Sequence, residues 1–151
     1  MAVVRLKPFC TDYIWGGNKL RTDYGIEYDG ERLAEALVVS FHKDGQSVID
    51  SGEFKGLSLS EYINSKTYKV LGTNRDPSGF FPIITKLIDA KENLSIQVHP
   101  DNTYALEEEG ELGKTEMWYI VEAEKDAKIY YGVNRRTDRN EMEQMIKDGT
   151  F

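Results

Sequence analysis

Apolar and polar positions alternate along residues 94–99. Leu94, Ile96 and Val98 fall on one side of an extended chain, and Ser95, Gln97 and His99 on the other. The stretch 114–121 has the same period but a different filling. Lys114, Glu116, Trp118 and Ile120 share one face, and Thr115, Met117, Tyr119 and Val121 share the other. Both faces are largely apolar beyond Glu116, so the pattern predicts a strand covered on both sides. Further β segments are predicted at 3–6, 46–49, 83–88 and 127–131. Residues 31–37 contain good helix formers, whereas Leu37-Val38-Val39-Ser40-Phe41 favours a strand, and the pattern leaves both open there.

Helix starts are marked by side chains that satisfy the first backbone N–H groups. Ser58 with Glu61 has the spacing of a capping box and predicts a helix to about residue 70, before Gly72. Asp101 predicts a helix through about residue 109. Asp138 with Glu141 predicts a third to about 148, with Met142, Met145 and Ile146 on its apolar face. Paired glycines at 16 and 17 mark a loop. Short strands between turn signals, with three short helices, describe a mainly β sandwich or barrel. No repeat or linker divides the chain, so 1–151 is expected to be a single domain.

Charge and composition narrow the function. Lys and Arg number 19 against 26 Asp and Glu, giving a net charge of −7. That balance disfavours nucleic acid and anionic membrane surfaces. No apolar run approaches the roughly 18 residues of a membrane span. The first five residues lack the pattern of a signal peptide, and the cytoplasm is the expected location. Cys10 is the single cysteine, which excludes an internal disulfide, and with only His42 and His99 an all-histidine metal site is excluded as well.

A carboxylate beside a tryptophan in a covered strand needs a partner, because a bare buried charge is costly. For Glu116 that partner is Lys114 or a metal ion. If the two alternating segments face one cavity, Gln97, His99 and Glu116 converge as an N/O/O donor set, which suits zinc and several other transition metals. The competing reading is a solvated face, with His99 a surface histidine before Pro100. Periodicity leaves both open. Elsewhere the simpler readings hold: Trp15 packs, His42 lies at the surface, 107–109 is a solvated helix end, and Arg135, Arg136 and Arg139 are solvated.

Residues Leu94-Ser95-Ile96-Gln97-Val98-His99-Pro100-Asp101, followed by Gly113-Lys114-Thr115-Glu116-Met117-Trp118-Tyr119, resemble the type I mannose-6-phosphate isomerases, closest to the short bacterial form. The resemblance extends to Ile14-Trp15-Gly16-Gly17, to Gly45-Gln46-Ser47-Val48, to 81–90 and to 127–132, in family order. One departure is at Leu33-Ala34-Glu35-Ala36-Leu37, where the family often has Gly-Glu-Ala-Trp and this chain lacks the tryptophan. The other is length, since members of the family are about twice as long and the chain reads as an N-terminal half.

The resemblance implies an incomplete, cupin-type, jelly-roll-like β architecture and a zinc-dependent aldose–ketose isomerase. Its reaction would interconvert mannose 6-phosphate and fructose 6-phosphate through an enediolate. It implies Gln97, His99 and Glu116 as metal ligands and Ser95 and Lys114 as catalytic and substrate-binding residues; Trp118 joins the substrate-binding candidates through its parity with Glu116. One zinc per chain is implied, bound weakly or absent because the family's fourth ligand, a histidine, has no counterpart here. The expected partners are a sugar phosphate and either a second copy or a missing C-terminal half. The alternatives are a metal- or sugar-binding cupin fragment without turnover, or an assembly module.

Overall fold

The computed structural model describes residues 3–66, 69–77 and 81–151. They form two compact units, Met1–Leu94 and Ser95–Phe151. The first unit is built on two open antiparallel sheets. Strands β1 (Leu6–Lys7) and β4 (Val48–Ile49) pair in one, and β2 (Phe9–Thr11), β3 (Glu35–Val39) and β5 (Thr85–Ile88) form the other in the order β2-β3-β5. The ambiguity around 31–41 resolves as the strand Glu35–Val39, with 31–34 neither helix nor strand. Two flanking strands supply ladder partners for Glu35 to Leu37, and this tertiary pairing overrides local helix propensity.

Strand β3 carries an irregularity. Leu37 pairs with Lys86 and Val39 with Thr85, so two steps on β3 oppose one on β5, a bulge at Val38. Two apolar clusters adjoin the strand. Ile49, Leu59, Tyr62 and Ile63 form one, with Val39 and Phe41 packed against it. Leu20, Leu33 and Ala36 form the other, with Val38 and Leu87 against it.

Helix α1 is the single turn Lys19–Thr22, and α2 runs Leu59–Ser65. Both halves of the Ser58–Glu61 capping box are made: the Ser58 hydroxyl accepts from the Glu61 N–H, and the Glu61 carboxylate accepts from the Ser58 N–H at 2.7 Å. The helix ends sooner than expected. A 3-10 turn at Lys69–Leu71 follows, and the expected helical residues 67 and 68 lie outside the described residues.

The loop through Trp15 is tied to the end of β5. Gly17 N–H donates to the Asp89 carbonyl, Lys19 N–H donates to the Asp89 carboxylate at 2.7 Å, and the Trp15 carbonyl accepts from Lys91 and Glu92. Gly16 passes so close to Ala34 that an added Cβ would lie 2.7 Å from the Ala34 Cα.

The second unit holds α3 (Asn102–Glu108), capped by the Asp101 side chain, and α4 (Arg139–Asp148), capped by Asp138. The Glu141 side chain does not close the expected second half of its box; it accepts instead from Thr137 at 2.7 Å and pairs with Arg135 at 2.6 Å. The expected strands at 94–99, 114–121 and 127–131 form no ladder among the described residues. Alternation sets which way side chains point, but a strand also needs a neighbour to accept its backbone hydrogen bonds. The expected covering of 114–121 is absent too: Met117 and Tyr119 are 86% and 82% exposed, against 49% and 50% for Trp118 and Ile120. The two-residue period survives in these exposures, with Glu116 on the more covered parity.

Candidate metal and substrate site

Three of the singled-out side chains meet within the second unit. His99 leads into Pro100 and the Asp101 cap, so the start of α3 anchors it. Gly113 brings the returning chain close: a Cβ there would lie 2.5 Å from the Pro100 carbonyl, its N–H donates to the Asn102 side chain at 3.0 Å, and Lys114 N–H donates to the Pro100 carbonyl at 3.3 Å. A larger residue at 113 would push 114–116 away from 99–101. Across that junction His99 Nε2 lies 2.7 Å from Glu116 Oε2, and Lys114 Nζ lies 3.3 Å from Glu116 Oε1.

Each oxygen of the Glu116 carboxylate thus faces a different nitrogen. Burial pushes its pKa upward, but the His99 hydrogen bond and the Lys114 charge outweigh that, and the carboxyl sits below its ordinary value. The imidazole and carboxylate side chains are each about a quarter exposed, leaving the pair open to a ligand.

Gln97 and Ser95 form a second pair. Gln97 Nε2 donates to Ser95 Oγ at 3.3 Å, which leaves the amide Oε1 as the atom suited to a metal. The structure joins Gln97 to Ser95 rather than to Glu116. Trp118 is half exposed on the parity of Glu116. His42 makes a 3.8 Å contact between its Nδ1 and Asp44 Oδ2. Of the arginine trio, Arg135 and Arg139 are held by Glu141 and Glu143.

The donor set fits zinc. Imidazole nitrogen and carboxylate oxygen are ordinary zinc ligands, and their two donor atoms already converge to hydrogen-bond distance. Lys114 on the second carboxylate oxygen would orient that ligand and keep it ionised.

Sequence reasoning missed a charged pair in the first unit. Lys86 Nζ lies 3.0 Å from Glu35 Oε2, with Glu35 nearly buried in β3. The partners are separated by 51 residues, and no local spacing signals such a pairing. The one available signal was a lysine inside the apolar run 83–88.

Residues 3–137 match the family described as phosphomannose isomerase type I, catalytic domain. The mannose-6-phosphate isomerase of Streptococcus mutans is 44% identical over 138 residues, 91% of this chain and 42% of that protein. The mannose-6-phosphate isomerase ManA of Bacillus subtilis is 42% identical over 146 residues, 96% of this chain and 45% of that protein. The crystal structure of mannose 6-phosphate isomerase from Bacillus subtilis superposes with a TM-score of 0.87 at 39% identity, covering 99% of this chain and 46% of that one. The chain therefore spans less than half the length of these relatives. The match covers both motif segments and nearly all of the sequence, and the chain belongs to the type I phosphomannose isomerase family.

Proposed function

We propose that these residues form the N-terminal part of the catalytic domain of a cytoplasmic, zinc-dependent isomerase that interconverts mannose 6-phosphate and fructose 6-phosphate. The observation that carries this reading is the 2.7 Å approach of His99 Nε2 to Glu116 Oε2 in a chain of this family. His99, Glu116 and the Gln97 amide oxygen would hold the metal. When bound, zinc supplies a Lewis acid for the sugar carbonyl oxygen.

The remaining work falls to the chain's own groups. Lys114 carries a positive charge beside the site and would hold the anionic substrate while countering negative charge that develops on its oxygens. Ser95 would donate a hydrogen bond to a sugar hydroxyl. Trp118 offers an apolar ring face against which the sugar can lie. No side chain here is assigned as the proton carrier between C1 and C2, because that role requires reach to the moving proton.

The relatives are more than twice as long, so the 151-residue chain by itself is expected to turn over slowly. Groups that act as a unit lose activity together rather than in proportion. A coupled assay of fructose 6-phosphate formation with added zinc, on the chain alone and co-expressed with the unmatched portion of a relative, tests this. Much faster turnover in the second case, abolished by Glu116→Gln, is the expected result. Turnover that survives Glu116→Gln overturns the site.

A further inference from the structure

Helix α3 and the loop behind it return the chain to the helix start. Gly110, with a φ of 67°, turns the chain out of the helix, and Glu111 N–H donates back to the Ala105 carbonyl at 3.3 Å. Ala105 is buried, which fixes the middle of the helix. Residues 113 and 114 then pass over 100–102, where two hydrogen bonds secure them. One joins backbone to backbone, Lys114 N–H to the Pro100 carbonyl at 3.3 Å. The other is shorter and depends on a side chain: Gly113 N–H donates to Asn102 Oδ1 at 3.0 Å. Asn102 is the first residue of α3, but the cap of that helix comes from its neighbour, since the Asp101 carboxylate accepts from Tyr104 N–H at 2.9 Å. The Asn102 amide is therefore not needed to start the helix, and its oxygen is directed at the returning chain.

We infer that Asn102 is a positioning residue for the candidate site: its side chain holds 113–116 against 99–102 and thereby sets the approach of Glu116 to His99. This deepens the functional reading above and rests on it. Asn102 lies three residues after His99, and Gly113 three residues before Glu116. The Asn102–Gly113 bond thus closes one side of a small frame whose other side is the 2.7 Å His99–Glu116 contact. Few torsions intervene, so a shift at 113 is carried to 116. Gly113 supplies the steric half of the same device: it permits an approach at which a Cβ would lie 2.5 Å from the Pro100 carbonyl oxygen, and Asn102 holds that approach. Ligand side chains gathered in advance bind a metal more tightly than ones that must be ordered, and losing the bonds that orient them weakens the site. Asn102 acts through Glu116 and touches neither metal nor substrate.

The test reads the imidazole nitrogens of the 151-residue chain by NMR, metal-free and at one neutral pH, with His42 in the first unit as the internal control. Asn102→Ala should move the His99 ring signals, leave those of His42 in place, and speed exchange of the Lys114 amide proton. Asn102→Asp keeps an acceptor oxygen and should return both towards wild type. Calorimetric titration with zinc should show affinity about three- to tenfold weaker in Asn102→Ala, as expected for one lost hydrogen bond, and recovered in Asn102→Asp. Unchanged His99 signals and Lys114 exchange in Asn102→Ala overturn the inference. So does a change that Asn102→Asp fails to reverse. Loss of Tyr104 amide protection in Asn102→Ala overturns it as well, because the residue would then serve the helix rather than the site. A wild-type chain that takes up no zinc overturns the functional reading instead, and the metal-free signals still decide the role of Asn102.

Discussion

Lys86 reaches diagonally across the β3–β5 pairing to place its ammonium 3.0 Å from the carboxylate of Glu35, two residues along β3 from its direct partner Leu37. Glu35 is almost wholly withdrawn from water, so the pair must be intact for its burial to be tolerable. Lys86→Met should cost about 3 kcal/mol because it strands the carboxylate. Adding Glu35→Gln to that variant should recover much of the loss. Urea unfolding of the two single variants and the double gives the coupling directly; additive losses would show that the charges do not depend on each other.

The capping box of α2 makes a separate prediction. Ser58→Ala should destabilise the first unit by about 1 kcal/mol, read from the same unfolding curves. The Glu61 carboxyl is held below its ordinary value of 4.5, first by the backbone N–H of Ser58 and then by its hydroxyl. A carboxyl lowered by folding contributes stability above its unfolded pKa and loses that contribution as pH falls through the folded value. The wild type should therefore lose its advantage over Glu61→Gln only in the acid range below 4.5. Carbon-detected titration of Glu61 should move upward in Ser58→Ala.

Gly16→Ala should be harmful despite the small change. The new Cβ would meet the Ala34 backbone, which is fixed by hydrogen bonds from Ala34 N–H to Thr11 and from Asp89 N–H to the Ala34 carbonyl. Overpacking against a fixed backbone costs about 1–3 kcal/mol. The fall in thermal midpoint measures it, and Gly25→Ala is an instructive contrast, since that glycine has open space but a φ of 65°. Its cost is left-handed backbone strain alone.

Metal binding to the folded state should raise the melting temperature. Zinc at one hundred times its dissociation constant adds about 2.7 kcal/mol to folding stability. The wild-type chain should melt higher with zinc than with a chelator, and His99→Ala should show little difference. An equal zinc effect in wild type and variant would move the metal elsewhere.

Features with local causes were legible from sequence. Ser58, Asp101 and Asp138 cap helices because the groups they satisfy lie within three residues. The parity of 117–121 was legible as well, since it depends only on an extended chain. What could not be read were partners distant in sequence: the strand pairing that wins β3 from helix propensity, the Glu35–Lys86 contact, and the lack of a ladder along 95–121 among the described residues. In the site, the His99–Glu116 approach was one of two readings that periodicity left open, and Gln97 turning to Ser95 was a choice between nearby hydrogen-bond partners that spacing does not rank.

Alternation along β3 lets one short strand serve two apolar clusters, with Ala36 and Val38 on one and Val39 on the other. Loosening either cluster alone leaves the strand clamped by the other. Its amide protons should therefore be the slowest in the first unit to exchange with deuterated solvent, because their release requires both clusters to open together. Edge strands β2 and β5 should exchange earlier, which makes β3 the kinetic keystone of the unit.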